Sequence, residues 1–187
     1  MQNVQEAHSF LSARLPQLFN RFYISPRNTP FGAGLIIRDL RMPIFLEQTG
    51  VYATGEGFAL ILTHECDVDP TNSKIYNEYF IFCPIIEFPI FFDELRKMMT
   101  QSQLSSYLAH LASCNIYQLA YIPEIPPHLP YGGVLYFNRL SHAHISVLKN
   151  YNATTIGMLS QEGFLSLDMA IENHLRRPKA TLIPRLI

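Results

Sequence analysis

Apolar residues recur along the chain with two different periods, and the change from one to the other marks out its elements. In VQEAHSFLSARLPQLFNRF, Val4, Ala7, Phe10, Leu11, Leu15, Leu18 and Phe22 fall near one helical face, and Pro16 interrupts the run. The spacing predicts a helix over residues 3–15, followed by a connector, ISPRNTPFGAG, with two prolines and two glycines. Six short segments then carry β-branched and aromatic residues between Gly, Pro or Asn: LIIRDLR, PIFLEQ, GFALILTH, EYFIFCPII, IYQLAYI and GVLYFNRL. These read as strands.

Two later stretches return to helical spacing. FDELRKMMTQSQLSSYLAHLAS, residues 92–113, places Phe92, Leu95, Met99, Leu104, Leu108 and Leu111 on one side, with Asp93 and Glu94 suited to a helix N-terminus. SQEGFLSLDMAIENHLRRP opens with Ser160 as an N-cap, carries Phe164, Leu167, Ile171 and Leu175 on one face, and stops at Arg176, Arg177 and Pro178. The order of elements predicts an α+β fold: a small, strongly curved, mostly antiparallel β-barrel or sheet with an N-terminal, an inserted and a C-terminal helix. The expected divisions are 1–30 for the N-terminal helix and connector, 31–178 for the barrel domain with its insertion at about 92–113, and 179–187 for a tail.

Composition narrows the classes. Charged residues are 16% of the 187, low against roughly 25% for a typical soluble domain, so part of the surface is expected to be hidden against a protein partner or a second copy. The apolar FPIFF at 88–92 is a candidate for that contact. A net charge of −1 leaves no global positive field for nucleic acid. A local patch remains open, since Arg38, Arg41, Arg96, Lys97, Arg139, Lys149, Arg176 and Arg177 are interleaved with tyrosine and phenylalanine. No apolar run approaches the ~20 residues of a membrane span, and MQNVQEAHSF lacks the regions of a secretory signal, so a cytoplasmic protein without membrane contact is expected. Cys66, Cys83 and Cys114 form no Cys-x-x-Cys pair, which argues against a disulfide framework and a structural zinc.

The chemistry gathers where FALILTHECDVDP leaves its apolar run. His64, Glu65, Cys66 and Asp67 follow Thr63 directly. On a continuing strand His64 and Cys66 would share a face about 6.6 Å apart, too far for a tight hydrogen bond unless a bulge or turn folds them together. His142 or His144, in SHAHIS, could supply a base from another strand. The plain reading makes Cys66 a buried hydrophobe, and Asp67 and Asp69, before Pro70, Thr71 and Asn72, turn-formers. The two histidines with Cys66, Asp67 or His64 would suit zinc only weakly, so neither a metal nor a cofactor is expected. The Gly-Ala-Gly at 32–34 and Gly-Glu-Gly at 55–57 lack the Lys and spacing of phosphate loops and read as turns.

The run Thr63-His64-Glu65-Cys66-Asp67, then Asn72, Cys83-Pro84-Ile85 and Gly157-Met158-Leu159-Ser160, resembles the layout of the MazF/PemK-like small-barrel superfamily across about residues 34–175. It is similar in particular to uncharacterised bacterial proteins with a Thr/Ser-x-x-Cys-Asp signature, some from mobile-element and anti-phage contexts. The resemblance implies a conflict-system protein, toxin–antitoxin or defence. In the family's toxins, endoribonucleases, it implies a role for Thr63 and for an Arg before the central strand. That Arg is missing: Gly57 and Phe58 stand in its place, Glu56 has the opposite charge, and Arg38 or Arg41 would have to substitute. Two functions stay open. One is a binding or regulatory module that recognises a protein, nucleic acid or nucleotide through the loop after the central strand, using Arg38, Arg41, Asp69, Asn72, Arg139, His142 and His144. The other is an enzyme, a divergent ribonuclease or a hydrolase or transferase built on Cys66 with His64, Asp67 and Thr63.

Overall fold

In the computed structural model the described residues are 1, 3–26, 31–46, 50–68, 78–150 and 153–175. The chain starts with α1 (Val4–Ser12), whose first turn is closed by the Asn3 side chain accepting the Glu6 N–H at 2.9 Å. It ends before Leu15, the predicted limit, and buries Ala7 and Leu11. A 3₁₀ turn (Gln17–Arg21) leads to the two-residue strand β1 (Tyr23–Ile24).

The segments read as two strands, LIIRDLR and PIFLEQ, are halves of one, β2 (Leu35–Leu46). Asp39, with φ 58°, takes up a bulge where the register shifts between Ile37 and Leu40, so the chain bends without breaking. Pro43 is tolerated because β2 pairs with β8 (Thr154–Leu159) only through Leu35–Arg38; further along, β2 pairs on one side only, with β3. The partner strand, β3 (Val51–Ile61), begins well before the predicted Gly57 and stops before His64.

The four-residue helix α2 (Glu65–Val68) follows, and then β4 (Tyr79–Glu87), which pairs with β3 on one edge. On its other edge β4 meets both β6 (Gly133–Tyr136) and β7 (Ser141–His144), and β6 carries β5 (Leu119–Ile122) on its far side. Pro84 lies between Phe82, the last partner of β7, and Ile85, the first partner of β6, so its missing N–H falls in the gap of that ladder.

All pairings are antiparallel and run in the order β1-β8-β2-β3-β4-β6-β5, with β7 beside β4. Among the described residues the outermost strands β1 and β5 do not pair with each other, so the α+β fold has an open curved sheet and not a closed barrel. β8 and β1 lie outside the six segments read as strands in the sequence.

Both faces of β3 are covered over Ala59–Ile61, which is why FALIL reads as a continuous apolar run. Leu60 packs with Ile36, Cys83, Ile85 and Leu135 on the face carrying Leu167 and Ala170 of α6 (Gln161–Leu175). Ala59 and Ile61 pack on the other face with Phe80, Phe82 and Val68, against Val147 and Leu148 of α5 (Ser146–Asn150). As expected, Ser160 caps α6: its Oγ accepts the Gly163 N–H at 3.0 Å and donates to the Arg21 carbonyl.

The stretch read as one inserted helix is two, α3 (Phe88–Met98) and α4 (Gln101–Ala112). Met99 is extended, and Thr100 starts α4 with a capping box in which its N–H donates to Gln103 Oε1 at 2.9 Å. Phe88, Phe91 and Phe92 are buried under α1 and α4, so FPIFF is core and not a contact surface; only Ile90 of that stretch faces solvent.

Candidate functional site

The chemistry of the central strand begins where its ladder ends. Leu62 N–H donates to the Ile81 carbonyl at 2.9 Å, and the Thr63 hydroxyl then accepts the Ile81 N–H at 2.6 Å in place of a backbone carbonyl. With its oxygen committed to the sheet, Thr63 fixes the exit of β3 beside β4.

The chain turns at once into α2, so the strand alternation expected to separate His64 from Cys66 does not hold. Instead the turn folds them together, with His64 Nδ1 3.0 Å from Cys66 Sγ. The Cys66 backbone N–H also reaches Nδ1 at 3.4 Å, which makes that nitrogen the unprotonated one and the thiol a donor to it. Asp67 N–H returns to the His64 carbonyl at 3.0 Å, and Val68 anchors the turn in the core. Gly32 is required beneath it: a Cβ there would sit 2.6 Å from Glu65 Cβ. His64 and Cys66 are both exposed and Asp67 partly so, which corrects the reading of Cys66 as a buried hydrophobe.

The other two thiols differ. Burial pushes Cys83 up to about 12, partly countered by a hydrogen bond to the Tyr136 backbone, and burial also raises Cys114. Cys114 lines a small apolar cavity with Phe19, Phe22, Leu60 and Leu167, a packing gap in the core and not a ligand pocket.

Thr63 leads directly to the histidines of β7. Ile81, which it holds, lies opposite His142, and Tyr79 lies opposite His144. The Tyr79 ring stands edge-on to both imidazoles, at centroid distances of 5.9 and 5.3 Å. Tyr79 and Ile81 are 57% and 51% exposed although β4 is a central strand, while Phe80 and Phe82, which alternate with them, are fully buried. Sequence reasoning missed this pair. Its signal was present in the alternation of YFIF, but not which face would stay uncovered.

The remaining candidates go elsewhere. Arg38 and Arg41 stand on β2, across β3 from β4. Arg38 Nη1 is 3.4 Å from His128 Nδ1, and its buried Nε–H lies 3.3 Å from the Asp39 carboxylate without hydrogen-bond geometry. Arg41 lies opposite Glu56, five residues before the end of β3 and so about 16 Å along the strand from it. Arg139 packs over the Tyr136 ring at 5.0 Å. Asp69 and Asn72 lie outside the described residues.

Among the described residues no group of three or more His, Cys, Asp or Glu side chains is placed to hold a metal ion, and no helix is long and apolar enough to cross a membrane. No protein-family model and no curated protein matches the chain.

Proposed function

We propose that this protein is a binding or regulatory module that holds a protein partner on the outward face of β4 and β7, beside the α2 turn. The observation that carries this reading is the half-exposed pair Tyr79 and Ile81 on a central strand, flanked by His142 and His144. Full burial of one such side chain is worth about 1.5–3 kcal/mol, and these two realise roughly half of it in the chain alone. A partner that covers them gains the rest, while the imidazoles and the His64–Cys66 turn supply polar contacts around an apolar centre. Recognition of nucleic acid draws less support, because Arg38 and Arg41 each lie beside a carboxylate. The resemblance to MazF/PemK-like proteins suggests a bacterial conflict system as the setting.

A second reading is favoured by one distance, the 3.0 Å from His64 Nδ1 to Cys66 Sγ, which would let the imidazole take the thiol proton in a cysteine hydrolase or transferase. The two separate by substitution. With the full chain on beads in lysate of its own cells, Ile81→Glu is expected to release the retained partner while Cys66→Ser keeps it. Retention by Ile81→Glu equal to the unsubstituted chain would defeat the module reading. Loss of a cellular phenotype, toxicity or phage protection, in Cys66→Ser with binding intact would favour the enzyme.

A further inference from the structure

At the turn after His144, the histidine and Tyr79 of the partner face are joined by two groups that partner binding does not call for, Ser146 and Glu78. β7 ends at His144 and α5 starts at Ser146, which brings Ser146 Oγ to 2.7 Å from His144 Nδ1. The Ser146 backbone N–H donates to the same nitrogen at 3.1 Å. A ring nitrogen that accepts an N–H carries no proton, so the hydroxyl also donates to it and the ring proton sits on Nε2. On that side Glu78 Oε2 lies 3.4 Å away. The Tyr79 ring, edge-on at 5.3 Å, holds the imidazole from a third direction. Nucleophile, base and carboxylate therefore stand in series, each within reach of the next, at a surface that substrate can approach.

We propose that Ser146 is a nucleophile for acyl transfer, with His144 as its general base and Glu78 as the residue that positions the imidazole and balances its charge. The substrate class is a small carboxylic ester. Ser146 Oγ bonds to the acyl carbon while its proton passes to His144 Nδ1. The tetrahedral adduct then expels the alcohol, which leaves with that proton. Water adds to the acyl-serine through the same base, releasing the carboxylic acid and restoring the hydroxyl. The arrangement has the nucleophile–base–orienting-group logic of covalent hydrolases, with the roles of the two ring nitrogens exchanged.

The test uses the full chain with a fluorophosphonate probe and with p-nitrophenyl butyrate. The expected result is one phosphonyl group, mapped by mass spectrometry to Ser146, together with ester hydrolysis above the buffer rate. Ser146→Ala, which removes a single oxygen, abolishes both, while Ser106→Ala on α4 changes neither. His144→Gln slows labelling by about 100-fold, the lower range for loss of a general base. Glu78→Gln slows it more than Glu78→Asp does, since only the carboxylate balances the imidazolium. An unlabelled Ser146, a probe found on another residue, or undiminished hydrolysis by Ser146→Ala would overturn the proposal.

Discussion

Each of the three cysteines is set by its surroundings, and that difference can be measured. Cys66 is exposed beside an imidazole, whereas burial holds Cys83 and Cys114 in the thiol form. Iodoacetamide at neutral pH is therefore expected to label Cys66 at least tenfold faster than either, read peptide by peptide; equal rates would remove Cys66 from any reactive role. The buried acids also set an alkaline limit. Burial raises Cys83 from 9.0 to about 12, and it raises Tyr23 and Tyr121 above 10.0 with help from Glu124. Between the unfolded and the folded value the unfolded chain loses a proton that the folded one keeps, so stability is full below about pH 9 and falls as pH rises. Each group contributes a slope of about 1.4 kcal/mol per pH unit in its window. Urea midpoints at pH 8, 9, 10 and 11 should fall progressively, and less steeply in Cys83→Ala; a flat series would contradict the burial of these groups.

At the scale of elements, the exit of β3 is the hinge of the site. Thr63→Val keeps the shape of the side chain but leaves the Ile81 N–H without its acceptor, at an expected cost of about 1–2 kcal/mol in urea unfolding. Thr63→Ser should restore most of it, and an unchanged midpoint for Thr63→Val would show that the hydroxyl does not hold the two strands. Such details mark how far the sequence could be read. The six segments of mixed β-branched and aromatic residues fall on five strands, and Ser160 announces the start of α6 because capping is local chemistry. The merger of LIIRDLR and PIFLEQ was hidden: Asp39 at positive φ and a proline on a one-sided edge look in one dimension like a chain break. The division of the inserted helix at Met99 lacks a glycine or proline to announce it, and depends on a capping box that only the folded turn displays. At the site, the residue types of HECD were legible, but the His64–Cys66 contact was not, since it depends on the strand stopping at Ile61.

For the whole molecule, the sheet sorts the apolar surface of the described residues into three buried clusters, one under α6, one under α2 and α5, and one under α1, α3 and α4. This interior takes up FPIFF, read in the sequence as a contact surface. The exposed apolar residues of β4 stand outside that economy of burial, and they carry the central claim that this face meets a partner. The most direct measurement places a photo-crosslinking amino acid at Ile81 and, in a second protein, at Leu165, an equally exposed residue on α6. After irradiation in the protein's own cells, position 81 is expected to give a discrete protein adduct of one mass, absent from position 165 and lost when Tyr79→Ser is added. No adduct at position 81, or the same products from both positions, would contradict the claim.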